Sequence, residues 1–481
     1  MKMKKIAFLK FGLLLCFLHL NLLSAVSATN TTSTNSMDTL HWAQAGDQGG
    51  GLQVNTILDE RFPTYSLSIN FQGGSLAEIS FLRGAVFGAF ELLRLGTPKY
   101  SEEQLADLWD YYATELKTSV DLYSVSVRLN GPIQELENSV ELVCHLLSQA
   151  NYPAQLLERE KKRLQEKLAN QVQNHSGLAL QIFKQLLIES PEIPYPITGK
   201  ISDIGKWTPE KLEETRRYFL SSFKKRLYFS GPKMALEKLE KVWKSSCDTP
   251  SLLQGQGRNA WDPRRFVASQ KYRNGLYLVT VPEANQAQII VGKSLSKQSL
   301  KERDTYTVAT TLLGGSFSSL LNQAIRVERG LSYGARAAFL NLEGSGAILL
   351  STSTENKNVP EVLSLMKREL ERLRNNKVPK KKLDSTKNFL KGSFPLRLED
   401  PISILGYYED RDKHQEPRVT PEEFLQQIQG VSLREISSLL QENFSFFDSV
   451  ILVLGDKSLL PLLEKMNKGK PTVLSYKEFL E

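Results

Sequence analysis

The sequence is poor in histidine and cysteine, the residue types that most often form zinc sites. Its 481 residues include five histidines and three cysteines. His41, His145, His175 and His414 are scattered, and no two histidines stand three or four residues apart. That spacing would place two imidazoles on one face of a helix, where they could bind one zinc ion. The sequence therefore contains no local metal motif, and each histidine is interpreted as a structural or surface residue.

The small number of cysteines also excludes the disulfide framework that holds many small secreted domains together. Cys144 lies in the apolar stretch Val140–Cys144, so we expect a buried core thiol at this position. Cys247 lies much further along the chain, and Cys16 belongs to the N-terminal segment described next. The sequence leaves open whether Cys144 and Cys247 form a disulfide.

The N-terminal apolar run is too short to span a membrane. The run at 11–23 has about 13 residues, whereas a membrane-spanning helix needs roughly 20. It follows the basic segment Lys2–Lys10 and precedes the small residues Val26-Ser27-Ala28. This order is typical of a secretory signal peptide. We therefore expect residues 1–28 to be a signal peptide and the protein to be exported, to the periplasm or outside the cell, with no stable membrane insertion after cleavage.

The net charge gives little support to nucleic-acid binding. The whole chain carries a formal charge of +8, and removal of residues 1–28, with four lysines and no acid, leaves about +4. A protein that binds nucleic acid usually concentrates many more cations on one surface. The run Lys380-Lys381-Lys382 is interpreted as the solvated start of a helix.

The rest of the sequence reads as two similar halves. Residues 29–45 are polar and predict a flexible segment, and residues 246–270 predict a linker because no hydrophobic period continues through them. The predicted domains are therefore 46–245 and 271–481. Each shows the order strands, helices, strands, long helices, strand, which indicates a duplicated α+β domain.

Local patterns predict individual elements within the halves. Alternation of apolar and polar residues predicts strands over 52–58 and 65–71, and a hairpin or a long bent strand over 116–129. Helices are predicted over 80–95 and 102–115. In the second half, two antiparallel strands are predicted over 332–339 and 344–352.

Two runs of residues stand out, one in each half. The first is Phe87-Gly88-Ala89-Phe90-Glu91, which lies between Gly73-Gly74-Ser75-Leu76-Ala77-Glu78 and Gly96-Thr97. The second is Leu312-Leu313-Gly314-Gly315-Ser316, with Ile325-Arg326 and Gly330-Leu331-Ser332-Tyr333 following it. Arginine offers a planar set of donors to carbonyl groups, and a tyrosine hydroxyl can donate to an oxyanion. Taken alone, each of these two residues would be interpreted as structural.

Both runs resemble the pitrilysin/insulinase family of zinc peptidases, whose inverted motif reads His-x-x-Glu-His. Phe87 and Phe90 stand where that family has its first histidine and its glutamate, and Glu91 replaces the second histidine. The third zinc ligand of the family matches Lys167, whose cation would oppose a divalent metal. The resemblance therefore implies an intact scaffold without its metal centre. Glu91 and Glu166 could hold at most a weakly bound ion.

The resemblance also assigns roles in the second half. In the family, the matching arginine and tyrosine help to bind substrate and stabilise the reacting carbonyl, which gives these roles to Arg326 and Tyr333. Gly314, Gly315 and Gly330 would form a glycine loop of the substrate cleft. The implied fold consists of two homologous domains, each an antiparallel sheet packed against several helices, that face each other like a clam shell.

One branch of the family divides its tasks between two chains, and this sequence looks like the chain that keeps the Arg/Tyr pair. The leading hypothesis is a non-catalytic subunit that binds no cofactor itself and forms a heterodimer with a zinc-bearing H-x-x-E-H partner that cleaves peptides. The alternative is a stand-alone peptide-binding or structural protein, because the family also has non-peptidase members. An autonomous zinc peptidase would need a metal site that the sequence does not contain.

Overall fold

Two six-stranded sheets, one in each half of the chain, form the frame of the structure. It is a computed structural model that describes residues 38–42, 52–78, 82–187, 196–247, 274–296, 299–342, 345–466 and 469–480. The first sheet contains β1 (Asp38–Trp42), β2 (Leu52–Leu58), β3 (Thr64–Gln72), β4 (Glu115–Val120), β5 (Ser124–Pro132) and β6 (Lys225–Gly231). The second contains β7 (Gly275–Thr280), β8 (Gln286–Leu295), β9 (Ala335–Leu342), β10 (Ser345–Glu355), β11 (Val450–Gly455) and β12 (Thr472–Ser475). The predicted α+β class is confirmed.

The two sheets share one topology. Their strand orders are β1-β2-β6-β3-β5-β4 and β12-β7-β11-β8-β10-β9, so the five strands β2 to β6 match β7 to β11 one by one. The sheets are mixed, which corrects the expectation of purely antiparallel sheets. β6 pairs parallel with β2, and β11 pairs parallel with β7. In each case the later strand returns after a long helical crossover, which permits a parallel pairing that a hairpin does not.

Most helices of the first half cover one face of its sheet. They are α1 (Ala85–Glu91), α2 (Glu102–Tyr111), α3 (Leu136–Gln149), α4 (Ala154–Asn170), α5 (His175–Leu187), α6 (Ile201–Ile204), α7 (Pro209–Ser222) and α8 (Lys233–Val242). The helices predicted over 80–95 and 102–115 are both shorter. The second ends at Tyr111 because the chain turns through Ala113, with φ at 46°, and enters β4 at Glu115.

The second half repeats this arrangement. Its helices are α9 (Leu300–Thr310), α10 (Val359–Arg374), α11 (Lys380–Leu396), α12 (Pro401–Lys413), α13 (Pro421–Gly430), α14 (Leu433–Asn443), α15 (Leu460–Glu464) and α16 (Lys477–Leu480). The predicted antiparallel pair at 332–352 is confirmed as the hairpin of β9 and β10. Among the described residues, no helix is both long and apolar enough to cross a membrane.

Each half lends one helix to the sheet of the other half. Helix α5 packs against β8 and β11, where Ile182 and Phe183 share an apolar core with Ile290 and Leu452. In return, α12 lies against β2 and β6. A Cβ atom on Gly292 of β8 would come within 2.7 Å of the Phe183 ring, so this packing is close. The exchange joins the two sheets within one unit, Met37–Glu481.

Helix α12 contacts the first sheet through a buried carboxylate. The apolar residues of β3 enter the core under the helices, and because strand side chains alternate, Ser68 and Asn70 face the other way. Glu409 of α12 accepts hydrogen bonds from Ser126 Oγ at 2.7 Å, Asn70 Nδ2 at 3.0 Å and Ser68 Oγ at 3.2 Å. The Arg128 guanidinium pairs with the same carboxylate at 3.0 Å. Four donors from one sheet thus converge on one acid from the other half.

A disulfide joins Cys144 of α3 to Cys247, which lies just after α8. The thiol expected at Cys144 is therefore corrected to a disulfide sulfur, since the fold brings the two Cα atoms to 5.4 Å. The flexible segment predicted over 29–45 also needs correction, because Asp38–Trp42 pair with β2 as an edge strand. The predicted signal peptide and most of the predicted linker lie outside the described residues.

Candidate functional site

Helix α1 carries aromatic side chains where the resemblance expects metal ligands. Phe90 is fully buried, with its ring centroid 5.8 Å from that of Phe71 and 5.1 Å from that of Phe219. Phe87 is half-buried and packs against the same core. These rings have no lone pairs to offer a metal, and Phe90 contacts other aromatic rings of the core. At these two positions the side chains pack in the hydrophobic core and cannot bind a metal ion.

The remaining predicted positions are Glu91 and Lys167, and neither these nor the adjacent Glu166 supply a set of metal ligands. Glu91 is half-buried and accepts a hydrogen bond from Thr118 Oγ1 on β4 at 3.0 Å. Glu166 and Lys167 are exposed on α4. Within the described ranges, no group of three or more His, Cys, Asp or Glu side chains could hold a metal ion. The residues present on this side of the molecule therefore do not fit a zinc ion, which needs three or four such ligands.

The start of α1 is nevertheless held firmly. The Glu78 carboxylate accepts hydrogen bonds from the backbone N–H groups of Gly84 at 2.9 Å and Val86 at 2.8 Å. Burial raises the pKa of Glu78 to about 8, against the lowering effect of these two donors. Near the other end, the buried Tyr152 hydroxyl donates to the Ala89 carbonyl at 2.7 Å. Helix α1 is therefore held at both ends by hydrogen bonds, although it carries no metal ligands of the H-x-x-E-H type.

In the second half, the predicted glycine loop follows α9 as two π-helical segments, Thr311–Gly315 and Asn322–Val327. Such segments occur frequently at functional sites. A Cβ atom on Gly314 would lie 2.3 Å from the backbone nitrogen of Ala337 in β9, so only glycine fits there. Gly330, which lies beyond the end of the second segment at Val327, has φ at 64° in the left-handed region. These two glycines have conformational reasons for their positions.

Tyr333 projects from the loop that follows. It is 87% exposed, the most exposed of the large hydrophobic side chains in the described part of the chain. The flanking backbone is held in place, because the Thr352 hydroxyl lies 2.9 Å from both Ser332 Oγ and the Gly334 carbonyl and donates its one proton within this pair. The Gly334 N–H in turn donates to Ser332 Oγ at 3.1 Å. The phenol is therefore presented to solvent by a rigid backbone.

Asn322 closes both ends of this loop. Its Nδ2 donates to the carbonyls of Ser316 at 3.0 Å and Ala335 at 2.9 Å, and its Oδ1 accepts from the Ala335 N–H at 2.9 Å. The sequence predictions missed Asn322 and Thr352. Asn322 could have been found, because it follows the apolar residues Leu320 and Leu321, and a polar group in such a run is expected to be buried with hydrogen-bond partners.

Arg326 is also exposed, and its guanidinium lies over the Phe317 ring with 4.7 Å between guanidinium carbon and ring centroid. Arg326 and Tyr333 are thus both exposed in the chain segment that leads into β9, whereas Gly314 is buried against that strand. An arginine and a phenol can together donate hydrogen bonds to a carbonyl oxygen and to the negative charge that develops on it. We name Phe317, Arg326 and Tyr333 the apex.

The chain is similar to proteins of known families. Residues 204–390 match the family model described as Peptidase M16 inactive domain. The Helicobacter pylori protein named non-peptidase homolog YmxG is 25% identical over 392 residues, which cover 80% of this chain and 87% of that protein. An uncharacterized zinc protease of Mycobacterium tuberculosis is 22% identical over 416 residues, which cover 86% of this chain and 93% of that protein.

The fold is shared with solved structures. The crystal structure of the peptidase M16 inactive domain from Pseudomonas fluorescens superposes with a TM-score of 0.75 at 17% sequence identity. The match covers 88% of this chain and 98% of the other. The chain is therefore similar to M16, or pitrilysin/insulinase-type, proteins over most of its length, residues 204–390 match their inactive domain, and its sequence contains no H-x-x-E-H motif.

Proposed function

We propose that this chain is the non-catalytic subunit of an exported zinc metallopeptidase complex. Its partner would be a homologous chain with an intact H-x-x-E-H motif, which binds zinc and hydrolyses peptides. This chain would lend Arg326 and Tyr333 to the partner's site. The zinc ion of the partner would activate the attacking water and polarise the peptide carbonyl. Arg326 would orient the peptide, and Tyr333 would donate a hydrogen bond to the developing oxyanion.

One observation carries this proposal, the exposure of Tyr333 on a fixed loop. The Tyr333 side chain is 87% exposed, so its ring adds little to the packing of this chain and is open to contact with another molecule. At the same time, Asn322 and Thr352 hold the backbone around it by several hydrogen bonds. Preorganisation of an exposed group lowers the entropy cost of a contact with another molecule. The arrangement suits a group that acts outside its own chain.

The disulfide supports the proposed export. Disulfides persist in oxidising compartments such as the periplasm or the extracellular space, and they are rare in the reducing cytosol. Cys144 and Cys247 are both fully buried, so their sulfurs are protected from reducing thiols once paired. The signal-peptide pattern of residues 1–28 points to the same compartments. Whether the protein stays in the periplasm or is secreted is decided by fractionation of the native host.

The test begins with the partner. The chain is co-purified from its native host, and the companion with an H-x-x-E-H motif is produced alone and mixed with this chain. Internally quenched peptides then report hydrolysis. We expect activity only in the mixture, and about a hundred- to thousandfold loss of kcat in the mixture with Tyr333→Phe, since an oxyanion donor is removed.

The matched control is Tyr111→Phe. Tyr111 is 79% exposed on α2 of the first half, far in sequence from the apex, and should leave the activity of the mixture unchanged. A partner that is fully active alone, together with no effect of Tyr333→Phe in the mixture, contradicts the proposal.

The alternative, a stand-alone peptide-binding or structural protein, draws support from the Helicobacter pylori relative that is named a non-peptidase homolog. That function requires no companion. Isolation of the chain from its host as a single species, with peptide binding that Arg326→Ala abolishes, would favour it over the complex.

A further inference from the structure

Phe317 has an exposed aromatic ring that does not pack in a hydrophobic core of the described residues. Its side chain is 65% exposed, and it belongs to none of the apolar cores found in the described residues. Exposed phenylalanine is unfavourable because its apolar area remains in water. Its visible contact is the Arg326 guanidinium, 4.7 Å from the ring centroid. The ring of Phe317 therefore interacts with the Arg326 guanidinium rather than with the hydrophobic core.

We propose that Phe317 is a positioning residue that holds the Arg326 guanidinium in place for contact with a peptide carbonyl. This inference rests on the proposed function of the apex and adds Phe317 to it. Phe317 itself does not touch the reacting atoms in this scheme. It acts through Arg326, whose long side chain would otherwise sample many rotamers.

A contact with an aromatic ring leaves more of an arginine's hydrogen-bond donors free than a contact with an acid does. A guanidinium that lies over a ring uses its flat face, so the N–H donors at its edge stay free for another acceptor. A carboxylate partner would occupy those donors and neutralise the charge. The neighbouring Arg329 shows the contrast, since its guanidinium lies 3.6 Å from the Glu361 carboxylate. Of these two arginines, Arg326 is the one whose edge remains available.

The ring has a fixed base. The residue before Phe317 is held by Asn322, whose Nδ2 donates to the Ser316 carbonyl at 3.0 Å, and the Ser319 N–H donates to that carbonyl at 3.1 Å. On the other side, Lys382 Nζ donates to the Ser318 carbonyl at 3.3 Å. Because the backbone is held on both sides, the ring presents a defined surface to Arg326.

The experiment is a double-mutant cycle in the mixture of this chain and its zinc-bearing partner. Phe317→Leu removes the ring but keeps an apolar side chain, and Phe317→Tyr keeps the ring. We expect Phe317→Leu to lower kcat/KM about two- to fivefold, the size of an exposed cation–π contact, and Phe317→Tyr to stay near the parent. In an Arg326→Ala background, Phe317→Leu should cause no further loss, because the ring then has nothing to position.

A direct measurement accompanies the kinetics. The Arg326 Nε–H resonance, assigned by comparison with Arg326→Ala, should move when Phe317→Leu removes the ring current, and should return with Phe317→Tyr. The matched control is Phe62→Leu, which removes a 60% exposed ring that lies 5.7 Å from the Arg61 guanidinium in the first half. This control should change neither kcat/KM nor the Arg326 resonance.

The outcomes separate this inference from the proposed function. If Arg326→Ala lowers activity but Phe317→Leu does not, or if Phe317→Leu costs the same with and without Arg326, the positioning role is wrong and the proposed function stands. If Arg326→Ala leaves the activity of the mixture unchanged, the proposed function is wrong and the positioning role falls with it.

Discussion

Glu409 offers the sharpest test of how the two halves are joined, because one carboxylate gathers donors from an entire sheet. Glu409→Ala removes the acceptor of Ser68, Asn70, Ser126 and Arg128 in one step. The change creates little new apolar contact, so its main effect is on hydrogen bonding. We expect a large loss of stability at the contact between α12 and the first sheet.

The size of the loss follows from the burial of each donor. Ser68 and Asn70 are each 4% exposed, and neither can reach bulk water when the acceptor is gone. An unsatisfied buried polar group costs about 1–3 kcal/mol. The Arg128 side chain is 35% exposed and can be hydrated instead, so it adds little. The expected loss is therefore about 2–5 kcal/mol, comparable to the cost of breaking a buried ion pair.

The tryptophans provide a probe of one half alone. All five precede residue 271, so tryptophan emission follows the first half, whereas far-ultraviolet circular dichroism follows both. Because each half packs a helix on the sheet of the other, the two signals of the parent should change together in urea, as coincident probes do in one cooperative transition. In Glu409→Ala, the transition should occur at lower urea concentration, and the two signals should separate because the contact between the halves is weakened.

The control for Glu409→Ala is Glu399→Ala, which removes an exposed acid just before α12 and should change stability by less than about 0.5 kcal/mol. Equal losses for the two variants would refute the reasoning, since the effect would then come from charge rather than from buried donors.

Other predictions follow from the same structure. Gly314→Ala should lower the free energy of unfolding by about 1–3 kcal/mol in a urea titration, because the new Cβ would lie 2.3 Å from a backbone nitrogen of β9. Gly392→Ala lies on an open face of α11 and should raise the free energy of unfolding by about 0.5–1 kcal/mol in the same titration. Burial lowers the pKa of Lys225 to about 8, below its ordinary value of 10.5, so its cation weakens the fold at low pH. Lys225→Met should therefore stabilise by up to about 3 kcal/mol at pH 7, and the gain should shrink as the pH rises from 8 to 10.5; a constant gain at pH 7 and pH 10 would contradict this. Loss of the Cys144–Cys247 disulfide, whose ends are 103 residues apart, should cost up to about 4–5 kcal/mol, measured as a shift in melting temperature of Cys247→Ala; an unchanged melting temperature would contradict the pairing.

The alternation of apolar residues predicted the strands well because a strand with one face in a core must repeat every second residue. The hairpin of β9 and β10 and the strand β3 both carry this pattern. The same pattern could not tell which sheet a helix would cover. The apolar face of α5, with Ile182 and Phe183, predicts only that the helix is packed, and its contact with the opposite sheet depends on the whole chain path.

The sequence supplies the residue types of the candidate site but not their geometry. Arg326 and Tyr333 were singled out from short runs, and the structure places both on one exposed segment. The contact between Phe317 and Arg326 could not be predicted from the sequence, because Phe317 lies in a turn and Arg326 lies in the π-helical segment Asn322–Val327. A regular helical period would not have paired these two residues.

The two halves differ most where a peptidase would need them both. In the first half, Phe90 has become part of a dry aromatic core, so a carboxylate at that position would be buried without a partner and would cost stability. In the second half, Tyr333 and Arg326 are exposed and belong to none of the apolar cores of the described residues. Packing therefore accounts for the aromatic ring of Phe90 and does not account for the exposed pair. The proposed function gives this pair a role, which is contact with another molecule.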